Sequence, residues 1–364
     1  MLPILNFLLP LLLTAALVDF LRPAAVRVGL VDTPGGRKHH AGSVPLVGGI
    51  AIMFAFWLCA LLFLNIVVPY KPLIVGMGVL LVVGVMDDLR ELAPKNKLLH
   101  QFIAVVLMTS WGGLYLRDLG NLFGVGAVLL FDWGIPLTLF GAISVINAYN
   151  MSDGIDGLAG GWGLIAFAAM AYLANEIGAE SAVRLNVVLI GCVGGFLLFN
   201  LRHPWRHRAA VFLGDAGSMT IGFAVVWFSV ELTQRGGVSG NVVPPVVMLW
   251  VLGLPMIDMF AVTVRRLAKR RNPLLPDRTH LHHVLLRVGL SDRRVVFWLM
   301  VVNCVLALIG ILGWRMGVPE NAMLLTFCAL AAGYVYAARH AWRVSRLIRG
   351  RPRRTPLSQM ARLD

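Results

Sequence analysis

Five aspartates stand at or just beyond the ends of long apolar runs: Asp87, Asp88, Asp153, Asp156 and Asp215. Carboxylates gathered at neutral pH need cations between them. Mg²⁺ is the natural counter-charge, because it takes oxygen ligands, keeps several waters and bridges to phosphates. A carboxylate cluster of this kind suits phosphoryl transfer, where the protein positions the reacting groups and neutralises charge. The stretch NAYNMSDGIDGLAGG, from Asn147 to Gly161, adds the amides of Asn147 and Asn150 and a run of glycines. Polar groups between apolar segments are costly unless compensated, so their presence asks for a function. His280, His282 and His283 add imidazoles without zinc-site spacing, and a contact to phosphate or sugar is expected of them. No GxxxxGK[ST] loop or kinase motif set accompanies these residues, so the donor is expected to be a diphosphate held by the loops and not ATP.

The elements that must position these groups are membrane spans. The chain has 364 residues, is 58% hydrophobic and 14% charged, and has a mean hydropathy of +0.79, too apolar for a soluble domain of that length. About eleven apolar runs approach bilayer-spanning length. They lie near 2–21, 45–66, 72–86, 98–116, 134–151, 158–176, 184–201, 216–233, 242–263, 295–313 and 321–338. The expected fold is an all-α polytopic membrane protein. The net charge of +14 would point to nucleic acid if the basic residues shared a soluble face. Instead, with the N-terminus outside, 27 of the 32 Lys and Arg fall on the inner side. That bias predicts an N-outside, C-cytoplasmic topology and no nucleic-acid partner.

The same parity puts all five aspartates and the three histidines on the cytoplasmic face, which favours one composite site. A secondary transporter would instead gather ionisable groups near the midplane between inverted repeats, and no repeat is visible. Residues 1–338 read as a single transmembrane catalytic domain and 339–364 as a basic cytoplasmic tail suited to anionic headgroups. The first apolar run lacks a basic n-region and is expected to stay as a helix. Cys59, Cys192, Cys304 and Cys328 lie in apolar runs without CxxC spacing and read as packing residues.

Other candidates carry two readings each. Arg37, Lys38 and His39 precede a glycine-rich helix start at Gly48-Gly49, where charge and free backbone N–H groups would hold phosphate; a positive-inside anchor explains the charge alone. Lys97 and Arg266 are either phosphate contacts or anchors. Asp258 would line a lipid-phosphate groove or snorkel toward Arg265 or Arg266. In the histidine segment, Asp277 or Thr279 is the expected N-cap, with His280 and His283 on one helical face and His282 pointing elsewhere. The glycine patterns Gly157-x-x-x-Gly161 and Gly191-x-x-Gly194-Gly195 permit close helix packing and would suit a homodimer.

Five motifs in order carry a resemblance over almost the whole chain: VDTPGGRKHHAGSVPLVGG (31–49), GVMDDLRELAPKNKLLHQ (84–101), NAYNMSDGIDGLAGG (147–161), FLGDAGSM (212–219) and LLPDRTHLHHVLLRVGLSDR (274–293). Together they resemble the polyprenyl-phosphate N-acetylhexosamine-1-phosphate transferase family, and the PDRTHLHH form is similar to its hexosamine branch. The resemblance implies transfer of GlcNAc-1-phosphate from UDP-GlcNAc to undecaprenyl phosphate with Mg²⁺ or Mn²⁺, releasing UMP, in a bacterial inner membrane. Such a product starts lipid-linked glycans such as O-antigen or enterobacterial common antigen. Another UDP-N-acetylhexosamine donor would fit the same motifs. By motif, Asp215 looks like the main metal ligand, with Asn150 beside it. Asp87 and Asp88 resemble the pair that places or activates the lipid phosphate, Asn147, Asn150, Asp153 and Asp156 the nucleotide- and metal-facing group, and His280, His282 and His283 the diphosphate or sugar contacts.

Overall fold

The computed structural model describes residues 2–32, 42–62, 68–202, 206, 208–237, 241–270 and 280–339. Within these, thirteen α-helices run in order: α1 Leu2–Val28, α2 Gly48–Leu62, α3 Lys71–Leu89, α4 Pro94–Val106, α5 Gly134–Ser152, α6 Leu158–Glu176, α7 Glu180–Asn200, α8 Gly214–Gln234, α9 Pro245–Val251, α10 Gly253–Ala268, α11 Leu281–Val288, α12 Asp292–Arg315 and α13 Glu320–Arg339. Each apolar run read from the sequence contains helix among the described residues, and the protein is an all-α polytopic membrane protein. Among the described residues eight helices are long and apolar enough to cross a bilayer. A bent pair makes a ninth, whereas α2 and α4, at 15 and 13 residues, are shorter than a full span.

The run near 242–263, expected as one span, is instead broken into α9 and α10 with a bend of 81°. Pro255 has no backbone N–H, and the neighbouring Leu254 N–H turns to the buried Asn303 side chain of α12 at 3.2 Å, so neither residue extends the hydrogen-bond ladder of α9.

The organising element is α8, buried along its length and surrounded by α2, α3, α5 and α6. Two glycines let its neighbours come close. A Cβ on Gly84 of α3 would collide with the backbone of Ala216, and one on Gly49 of α2 with the backbone of Gly217. The N–H groups of Gly48 and Gly49, expected to be free for phosphate, donate to the carbonyls of Phe212 and Leu213 at 3.0 Å each. That helix start is joined to the segment leading into α8, so its amides are already used. A short antiparallel pair, β1 Val31–Asp32 with β2 Val44–Pro45, precedes it.

Further glycines seat helices within the chain: Gly191 and Gly195 of α7 lie against α1, and Gly161 of α6 against Met300 of α12. Of the cysteines, Cys59 and Cys192 are buried as packing residues, while Cys304 and Cys328 are exposed on outward helix faces.

Candidate active site

The close crossing of α3 over α8 at Gly84 directs the end of α3. One helical turn on, Asp88 lies on the same side of α3, and its carboxylate accepts from the backbone N–H groups of Asp215 (2.9 Å) and Ala216 (3.4 Å). Asp88 therefore caps the N-terminus of α8 from another helix, satisfying amides that α8 leaves unbonded and complementing its dipole. Gly214, at φ +73°, completes this joint, since a side chain there would meet the Asp88 carboxylate.

Asp87 faces the other way. One oxygen accepts from the Leu92 N–H at 2.6 Å, and the other is 2.5 Å from the Lys97 ammonium at the start of α4. The same ammonium pairs with Asp215 in the first turn of α8. The remaining Asp215 oxygen accepts from Asn150 Nδ2 at 2.8 Å, and Asn150 also reaches Ser218 at 3.0 Å. Two carboxylates from different helices thus converge on one cation, with an amide alongside. Burial works against the charge of Lys97, but Asp215 and Asp87 outweigh it and raise its pKa. Burial, and then the charges of Asp215, Asp88 and Asp156, push the Asp153 carboxyl well above the ordinary carboxylate value.

Not every candidate joins this clamp. Asn147 is paired with Gln101 of α4 at 2.8 Å and with the Ile143 carbonyl, holding α5 to α4. Asp156 pairs with Arg202 at 2.6 Å, and the same guanidinium pairs with Asp292 at the start of α12. Arg266 is buried in the last turn of α10. Arg37, Lys38, His39, Asp277 and Thr279 lie outside the described residues.

His280, and neither expected residue, occupies the N-cap position of α11. Its extended backbone (φ −57°, ψ 152°) takes it out of helical register, which is why the predicted face is wrong. His280 and His282 lie ring to ring, with centroids 5.9 Å apart and planes 10° apart, and His283 follows with its centroid 4.2 Å from that of His282. His282 is buried against Gly154, whose missing Cβ makes room for the ring, so the histidines abut the SDGID turn. Burial, helped by His283 and His280, pushes the His282 pKa down to about 3, leaving it neutral. Asp258 pairs with no arginine among the described residues. It is buried and bonded to His280, the Leu281 N–H and Tyr334.

Sequence reasoning missed several participants. Asn200 links the Gly157 N–H (2.6 Å) to the Val211 carbonyl (2.9 Å), tying the SDGID turn to the approach to α8. Arg202, Gln101 and Ser218 likewise have partners far along the chain. A polar residue closing an apolar run, as Asn200 does, was the available signal.

Asp87 and Asp215 offer carboxylate oxygens, the donors a hard divalent cation prefers, while Asn150 turns its Nδ2 to Asp215. Among the described residues no three His, Cys, Asp or Glu side chains share one point fit for a metal. Two carboxylates would suit only an ion that takes few protein ligands and completes its shell with water and phosphate. At that position lies the Lys97 ammonium, so the geometry already favours positive charge.

Comparison with known proteins agrees with this architecture. The glycosyl transferase family 4 profile matches residues 70–233, the segment that carries α3 to α8. A protein of Yersinia pestis called undecaprenyl-phosphate alpha-N-acetylglucosaminyl 1-phosphate transferase is 38% identical over 347 residues, 94% of this chain and 93% of its own length. Proteins with the same name from Escherichia coli strain K12 and Haemophilus influenzae are 37% and 39% identical, covering 94% and 92% of this chain and 93% of each relative. With identity of this level running almost end to end, the chain belongs to glycosyl transferase family 4, alongside the undecaprenyl-phosphate alpha-N-acetylglucosaminyl 1-phosphate transferases.

Proposed function

We propose that this protein transfers GlcNAc-1-phosphate from UDP-GlcNAc to undecaprenyl phosphate, giving undecaprenyl-diphospho-GlcNAc and UMP, at the cytoplasmic face of a bacterial inner membrane. One observation carries the reading: Asp87 and Asp215, from two helices, close on a single cation where several helix ends of an apolar bundle meet. Such a place accepts a lipid carrier from the bilayer and a nucleotide sugar from water.

Asp215, Asp87 and Asn150 would hold Mg²⁺ or Mn²⁺, which when bound supplies positive charge to the phosphate oxygens of the donor. Lys97 shares that task and keeps the two carboxylates from repelling each other. Asp88 has both oxygens engaged by backbone amides, so its part is to fix the end of α8 and with it the direction of Asp215. No strong base is required. A phosphate monoester has a second pKa of ~6, so the lipid phosphate is largely a dianion at neutral pH. It attacks the β-phosphorus of the donor directly, and UMP leaves. Asp153 and Asp156 are assigned to the nucleotide, and the histidine row rests on the same turn, over Gly154.

Purified protein given undecaprenyl phosphate, Mg²⁺ and a panel of UDP-N-acetylhexosamines should release UMP with UDP-GlcNAc and stop when EDTA is added. Release with a different sugar alone would replace the donor. No release with any sugar would remove the activity, and recovery of a phosphosugar covalently bound to Asp87 or Asp88 would replace the direct attack.

A further inference from the structure

Asp258 lies on α10 beyond the 81° bend, 3% exposed, and three donors converge on it. His280 Nδ1 is 2.8 Å from one carboxylate oxygen, while the Leu281 N–H (3.0 Å) and the Tyr334 hydroxyl (2.5 Å) meet the other. The partners belong to the start of α11 and to α13, so one carboxylate joins three segments distant in sequence. A carboxylate only accepts, and the arrangement therefore fixes His280 with its proton on Nδ1. The opposite nitrogen, Nε2, is buried and has no hydrogen-bond partner among the described residues. His280 in turn lies parallel to His282, which rests on Gly154 of the SDGID turn beside Asp153.

We propose that Asp258 and Tyr334 are positioning residues for the transfer reaction, acting through His280. They set its tautomer and seat the histidine row against the SDGID turn, so that Nε2 is the atom left for the donor. This inference rests on the proposed sugar-phosphate transfer. A carboxylate that orients a functional imidazole through its second nitrogen is a recurrent device, and removing such a partner commonly costs ~10–100-fold in activity or affinity. Tyr334 engages the oxygen that Leu281 also uses, holding the carboxylate plane so that the other oxygen faces His280. The last described helix, α13, thereby contributes to the site without reaching it.

Asp258→Asn tests the inference, because the amide oxygen can still accept from Leu281 and Tyr334 while the N–H₂ group then faces His280 Nδ1. The expected result in the UMP-release assay is a ~10–100-fold fall in kcat/KM for UDP-GlcNAc, with the KM for undecaprenyl phosphate unchanged. Tyr334→Phe should fall less, by several-fold, in the same parameter. The deciding measurement is a double-mutant cycle with His280→Gln: once His280 is gone, Asp258→Asn and Tyr334→Phe should each change kcat/KM by less than ~2-fold.

A full, additive penalty in the His280→Gln background would make Asp258 merely structural and overturn the inference, as would wild-type kinetics in Asp258→Asn. Elution as a single folded species in detergent is the control for both variants. If Asp258→Asn does not pass it, the Tyr334→Phe cycle decides alone by the same criterion. Wild-type protein inactive with every UDP-sugar would instead sink the transfer reading itself.

Discussion

Helix α8 carries an acid near each end, and the two ends have been given opposite treatment. At its start, Asp215 shares the Lys97 ammonium with Asp87 and accepts from Asn150, with about a quarter of its side chain still exposed (24%). Near its end, Glu231 has one oxygen bonded to the Tyr70 hydroxyl at 2.6 Å and the other to the Trp227 indole N–H at 3.1 Å, with 9% of the residue exposed. The helix dipole favours an acid at the first position and opposes one at the second. Glu231 is accordingly saturated by donors and walled by aromatic rings, whereas Asp215 is crowded with like charge and left open. A saturated acid holds a fold together. An acid that must share one cation with another, at a point ligands can reach, is arranged for chemistry.

The strongest way to break this contrast is to neutralise each acid in turn. Asp215→Asn should lower UMP release by at least ~10³-fold, at the upper end of the loss seen when one charge-stabilising group leaves a preorganised site, with near-normal expression. Glu231→Gln should turn over within a few-fold of wild type but lose about 1–3 kcal/mol of stability, because the amide N–H₂ then faces one of the two donors. Thermal unfolding in detergent alongside the assay checks both. A Glu231→Gln protein that is stable and inactive would erase the distinction.

Lys97 sharpens the same contrast. Lys97→Met leaves Asp87 and Asp215 without their shared cation, and turnover should fall ~10²-fold. Raising Mg²⁺ should recover part of that loss, since a divalent ion suits the same pair of carboxylates. A rate independent of Mg²⁺ in both proteins would detach the carboxylate pair from metal.

The smallest effect concerns the histidine row. His282 has its folded pKa depressed to about 3, against ~6.5 unfolded. The unfolded chain therefore binds the extra proton first, so stability is fully present above the unfolded value and is lost as pH falls toward 3. Over that window the slope approaches ~1.4 kcal/mol per pH unit. His282→Gln should flatten the fall of unfolding temperature between about pH 6 and pH 5 by that contribution. An unchanged slope would place His282 in contact with water.

The clamp shows why some of this site was legible in the chain and some was not. Asp87, Asp88 and Asp215 stand out because acids at the ends of apolar runs are costly, and the parity of the runs brings them to one face. That argument cannot separate Asp87 from its neighbour. Only the close approach at Gly84 turns Asp88 onto the α8 amides and leaves Asp87 to Lys97. Lys97 itself reads from sequence as a phosphate contact or an anchor, yet its partners are Asp87 and a residue in a later helix. Periodicity gives the wrong face for the histidine row because His280 is the N-cap of α11 and lies outside the helical repeat.

What the sequence by itself determined is the all-α membrane class and the rough position of most helices, because burial of apolar side chains and hydrogen bonding within each helix are local properties of the chain. What only the tertiary structure decided is which polar group serves which. Asp258 with His280 and Tyr334, Asp156 with Arg202, and Asn200 between two loops are pairings across long separations. They are set by how closely helices pack, and by where a helix ends or bends, quantities that no single stretch of sequence contains.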